Sequence, residues 1–188
     1  MACDITLGRA LPCKDVVGGI TNVIFVNYDA LKPVVLTADD SIASISGTAS
    51  SGIFSGFEYD LKGNSSFEQT FNSSRENGTT FFTQTLNLTL TKLSKTDNKQ
   101  LKLLAYGRPY VFVTDYNGNT FMMGRLNGAE VTGGTIVTGA AMGDLSGYTL
   151  TMEGQEVMPA NFIAGATTAN PFAGLAGATD TIVVGSNS

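Results

Sequence analysis

From Thr79 to Leu93 the chain reads TTFFTQTLNLTLTKL, and its apolar and polar residues alternate with a period of two. Only an extended strand places every second side chain on one face. Phe82, Leu86, Leu88 and Leu90 are therefore expected to point into a core, and Thr83, Thr85, Asn87, Thr89 and Thr91 to the opposite side. SFEQTF precedes this run, and the polar NSSRENG between them ends in Asn77-Gly78, which predicts a long hairpin with Asn77 and Gly78 at its tip. The Thr/Asn face carries no charge until Lys92. Exposed strands ordinarily carry Lys or Glu against edge-to-edge pairing, so a face this neutral fits strands whose edges close with sister copies. A half-exposed strand of a monomer fits the same alternation.

The rest of the chain repeats the strand signature. ITNVIFVNYD from Ile20, after a Gly18-Gly19 turn, predicts a strand, VVLT at Val34 to Thr37 a short one, and Ile53 to Leu61 a weakly two-sided one. PYVFVTDYNGNTFMMGR predicts a second hairpin, with Asn117-Gly118 in a type I′ turn. Further strands are expected at Glu130 to Thr138 and Gly147 to Glu153. KTDNKQLKLLAYG fits one short helix, capped by Thr96 or Asp97 and closed by Gly107, with Leu101, Leu104 and Ala105 as its apolar stripe. After Pro159 the composition shifts to an Ala/Gly-rich stretch, Ala164 to Ala178, that ends in TIVV at Thr181 to Val184. The expected organisation is one β-domain over 1–163 with an N-terminal leader, and a C-terminal arm over 164–188 held by a small final strand.

The length of 188 residues suits a single domain with a real core. Only 14% of residues are charged against 43% hydrophobic, which favours a protein whose surface is covered by partners. Eleven basic and sixteen acidic residues leave a net charge of −5 with no basic run, which argues against gripping nucleic acid through its phosphates. No apolar run approaches the roughly 18 to 20 residues of a membrane-spanning helix, and MACDITLGRALPCKD lacks the form of a signal peptide, so a soluble, cytoplasmically made protein is expected. Sequons at Asn64, Asn72, Asn77 and Asn87 are read as unglycosylated, and Cys3 and Cys13 as reduced thiols.

Residues for chemistry are scarce. With no histidine, the usual general base, metal ligand and triad member is missing, and Cys13 has no partner base. Asp39-Asp40 are neighbours that would diverge on a strand and read as a turn. Asp115, Asn117 and Asn119 resemble the start of a calcium loop, but Thr120 stands where its glycine belongs and Leu126 where its glutamate belongs. Neither GxxxxGK[ST] nor GxGxxG occurs. The expectation is no enzyme, no metal and no cofactor.

Two segments, CDITLGRALPCKDVVGGITNVIFVNYD near the start and GDLSGYTLTMEGQEVMPANFI at Gly143 to Ile163, resemble tail tube and related virion proteins of tailed bacteriophages. Together they span about a quarter of the chain, and neither is a catalytic motif. The resemblance implies a β-sandwich or barrel with one flanking helix, assembled in the host cytoplasm into stacked, usually hexameric rings around a channel that DNA traverses. Its partners would be copies of itself, other tail proteins and a sheath where one exists, with DNA as non-specific cargo and no membrane. On this reading Thr83, Thr85, Asn87, Thr89 and Thr91 face the lumen or a ring interface. Asn77 and Gly78 at the hairpin tip, and Phe172 and Leu175 in the arm, are the expected contacts between subunits. The alternative is another virion part, such as a capsid decoration, head fibre or neck protein. A secreted carbohydrate-binding sandwich is weaker, because the chain has no Trp to build a sugar platform.

Overall fold

A strand whose every residue is apolar cannot have a wet face, and VIFV in the first strand and YVFV in the seventh have this form. The computed structural model, which describes residues 7–11, 13–167, 170–175 and 179–184, shows how both are covered. In chain order the elements are β1 (Ile20–Val26), β2 (Val35–Leu36), β3 (Ile42–Ser44), β4 (Ile53–Asp60), β5 (Ser66–Ser74), β6 (Thr79–Thr91), α1 (Lys95–Tyr106), β7 (Tyr110–Asp115), β8 (Thr120–Met123), β9 (Glu130–Val137), β10 (Gly147–Glu156), β11 (Asn161–Phe162) and β12 (Thr179–Val184). The fold is mainly β, a sandwich with one short helix. A six-stranded sheet runs β11-β8-β7-β1-β4-β12, a four-stranded sheet runs β5-β6-β10-β9, and β2-β3 form a small pair.

Side-chain parity sorts the apolar residues into two cores. Val23, Phe25, Val111, Val113 and Met123 point from the six-stranded sheet toward Leu86, Leu88 and Met152 of the four-stranded one. The next residues along, Ile24, Val26, Phe112 and Met122, point the other way, into a second core closed by Leu31, Ile42, Ile45, Ile163, Phe172 and Leu175. The six-stranded sheet is thus the middle of three layers, and β1 and β7 are continuous apolar runs because both of their faces are dry.

The arm expected over 164–188 is therefore largely part of the body. Phe172 is 2% exposed and meets Phe54 and Phe112 edge-on, with ring centroids 5.4 and 5.0 Å away. Leu175 is buried beside it. Both expected subunit contacts are corrected: these side chains belong to the chain's own core and cannot reach a neighbour while it is folded. β12 completes the segment as the one strand that pairs in parallel among the described residues, adding to β4 from Thr179↔Ile53 to Val184↔Glu58. The remainder of the arm, 168–169, 176–178 and 185–188, lies outside the described residues, as does Cys3; Cys13 is a free, exposed thiol.

Local details also shift. Ser94, not Thr96 or Asp97, caps α1: its backbone is extended and its hydroxyl accepts from the Asp97 N–H at 3.1 Å, the S-x-x-D spacing of a capping box. Gly107 closes the helix by donating to Leu103 and Leu104 carbonyls. Burial, and after it the Asp97 carboxylate, push the Tyr59 phenol above its ordinary value. The β7–β8 turn is not type I′, because that form needs a positive φ at both central residues and here only Gly118, at 83°, has one. Gly118 donates back to the Asp115 carbonyl, which makes a type I turn followed by a left-handed glycine. The Asp115 carboxylate accepts from the N–H groups of Asn117 and Asn119 at 2.9 and 2.8 Å, so the turn itself uses those oxygens.

Phe172→Ala should lower the unfolding free energy by about 3–5 kcal/mol, the usual loss for a buried aromatic ring. Urea titration checks this; an unchanged midpoint would return 170–175 to the status of a dispensable arm.

Candidate functional site

The four-stranded sheet has one face in the sandwich and one outside, and the alternation in β6 decides which is which. Leu86 and Leu88 are buried and Leu90 packs at the core's margin, while Thr83, Thr85, Asn87 and Thr89 are half-buried and Thr91 is exposed on the outer side. Phe82 departs from the expected pattern. It lies on the inward side but beyond the end of the core, where its ring meets that of Phe71, its cross-strand partner, edge-on at 5.1 Å. The β5–β6 hairpin is longer than the core it covers, so its far half overhangs.

Three strands complete the outer face. Ser66, Glu68, Thr70 and Asn72 of β5, Thr149, Thr151, Glu153 and Gln155 of β10, and Glu130 and Thr135 of β9 stand in register with the β6 threonines. Their side chains bond one another across the strands. Asn72 Nδ2 donates to Thr83 Oγ1 at 2.9 Å, Thr151 Oγ1 donates to Asn87 Oδ1 at 2.9 Å, and the Thr135 and Thr149 hydroxyls lie 2.7 Å apart. The result is a polar wall that satisfies itself without ions.

Charge on that wall has one sign. None of β5, β6, β9 and β10 contains Lys or Arg. Glu68 pairs in register with Thr85, Thr85 with Glu153, and Glu153 with Glu130, so three carboxylates form one row across the sheet. Glu153 and Glu130 are direct neighbours, an arrangement that costs stability. Sequence reading missed this row: the glutamates lie on strands far apart in the chain, and only the pairing register brings them together.

The overhang is held from beneath by polar side chains, Gln84 and Glu156 buried and Gln69 half-buried. Gln84, 1% exposed, accepts from the Gly124 N–H at 3.0 Å, and Glu156 Oε1 accepts from the N–H groups of Leu126 and Asn127, both at 2.8 Å. Gln69 Oε1 accepts from the Ala160 N–H at 2.7 Å. These contacts fasten the loop after β8 and the segment after β10 to the inward face of the sheet, which fixes the hairpin's direction. At its tip the Arg75–Gly78 turn is exposed, so Asn77 and Gly78 are accessible as expected; Gly78 takes the left-handed φ of 63° that the turn requires.

Both edges of the four-stranded sheet are open: among the described residues, β5 and β9 each pair on one side only. No group of three or more His, Cys, Asp or Glu among the described residues is placed to hold a metal ion, and no helix is long and apolar enough to cross a membrane. No family model, curated protein or solved structure matches the chain.

Glu153→Gln should raise the unfolding free energy of the isolated subunit by about 0.2–1 kcal/mol, by removing like-charge repulsion across β9 and β10. A fall in the urea midpoint would mean that the row is stabilised by something other than its neighbours.

Proposed function

We propose that this chain is a virion structural subunit, the tail tube protein of a tailed bacteriophage, whose four-stranded sheets join edge to edge into stacked rings with their polar faces lining a DNA channel. The observation that carries the reading is the outer face itself: a broad wall of Thr, Ser and Asn, free of cations and crossed by a row of glutamates. Duplex DNA presents one negative charge per roughly 1.7 Å of its axis, and each Lys or Arg that met it would release counterions and hold it. A conduit needs the reverse. Side chains already bonded to one another offer few free donors to phosphate. The carboxylates repel the polyanion over about 10 Å, the screening length at 0.1 M salt.

Three further features favour assembly over a monomer's life. The sheet edges lack the lysines and prolines that discourage pairing. Ile136, Phe71, Val157 and Tyr106 are exposed around that sheet and α1. The Glu153–Glu130 pair weakens the subunit, as expected of a feature kept for what it faces. The number of subunits per ring, six, comes from the family resemblance alone. On this reading the chain works in the tail of the virion, with itself, other tail proteins and, where the tail contracts, a sheath as partners; it performs no catalysis and needs no cofactor.

Negative-stain microscopy of the concentrated protein at neutral pH should show hollow rods. Discrete rings or trimers would move the assignment to a neck, decoration or head-fibre protein, and strict monomers would sink it.

Thr85 stands between Glu68 and Glu153, so Thr85→Lys should fold normally and assemble. Its tubes should bind duplex DNA at low salt, with retention falling as salt rises, whereas wild-type tubes should not. Identical DNA retention by both would remove Thr85 from the channel wall.

A further inference from the structure

Resting on the ring-forming reading, we propose that Phe71 of one subunit seats in the apolar groove between α1 and β9 of a second copy, anchoring the β5 edge of the first against the β9 edge of the next. Phe71 is an unusual surface residue: it points to the core side of the sheet, in register with Phe82, yet lies past the core and is 77% exposed. The opposite edge of the same sheet has the complementary shape. A cavity of about 260 Å³ lies there, lined by Leu101 and Ala105 of α1, Val131, Gly134 and Ile136 of β9, and Tyr148 of β10. Aliphatic cavities of about 150 Å³ already accept a benzene ring, so a phenyl side chain fits.

The pleat makes the match specific. When β5 of one copy lies beside β9 of the next, continuity of the polar faces requires that core-side residues of β5 also share a side with core-side residues of β9. Phe71 then projects on the α1 side of the neighbour, where the groove lies, and the two Glu rows stay on the channel side. On the groove's β9 wall Gly134, in register with Leu150, presents no side chain between Val131 and Ile136. Because the anchor and the groove occupy opposite edges, the contact is heterologous and propagates around a ring instead of stopping at a dimer.

The test uses full-length chains with Cys3 and Cys13 changed to Ser. Mixing a Phe71→Cys chain with an Ala105→Cys chain under oxidising conditions should give a disulfide-linked heterodimer, and pairing Phe71→Cys with Leu103→Cys, which lies on α1 outside the groove lining, should not. Separately, Phe71→Ala and Ala105→Trp, both at exposed positions, should leave the subunit's melting temperature unchanged. Each should raise the concentration for half-assembly about tenfold or more, the loss expected of a central aromatic anchor. If the wild type assembles, cross-linking no stronger than the Leu103 control, or assembly of both variants at the wild-type concentration, overturns the anchor and leaves the ring reading standing. If the wild type does not assemble, both fall.

Discussion

Two-sided burial of β1 and β7 is the constraint from which the rest of this molecule follows. Their side chains alternate between two dry cores, so each strand must be covered twice. One cover is the Leu86, Leu88 and Met152 face of the four-stranded sheet. The other is assembled from pieces distant in the chain: the β2–β3 region, Ile163, and the segment bearing Phe172 and Leu175. Remove either cover and a sheet of Val, Ile and Phe meets water.

Because only one face of the four-stranded sheet is spent on this packing, the other is free to carry function. It is built largely from residues that satisfy one another by hydrogen bonds, so it needs no cations, and its glutamates are tolerated despite their mutual repulsion. The overhanging hairpin follows from the same geometry. β6 is longer than the core beneath it, and Gln84, Gln69 and Glu156 hold the uncovered half in place by accepting backbone N–H groups from two loops. Polar acceptors on the inward face fix a direction, since each loses its partner if the hairpin tilts.

Much of the strand inventory could be read from the chain, because the signals are local. The period of two in β6, the Asn77-Gly78 tip and the α1 closure at Gly107 each depend on residues within a few positions of one another. Where local reading failed, competing local signals or distant contacts were responsible. Ser94 took the cap from Thr96 and Asp97 because its own backbone is extended, and Asp115 turned the β7–β8 loop into a form that demands left-handed φ only of Gly118. Phe82 kept its predicted side of the strand but not its predicted burial, since the length of the opposing sheet is invisible from within β6.

By itself, then, the sequence determined where the longer strands run, where the two hairpins turn, which face of β6 is apolar and that the polar face would lack cations, while the short β3 and β11 went unread. The tertiary structure alone decided that Phe172 and Leu175 close a core instead of reaching outward, that β12 joins β4 in parallel, and that Glu68, Glu153 and Glu130 share a row. The reason is physical: side-chain periodicity is a property of one strand, whereas pairing register and the covering of a second face are set by contacts between separate segments of the chain, for which no local pattern encodes the partner.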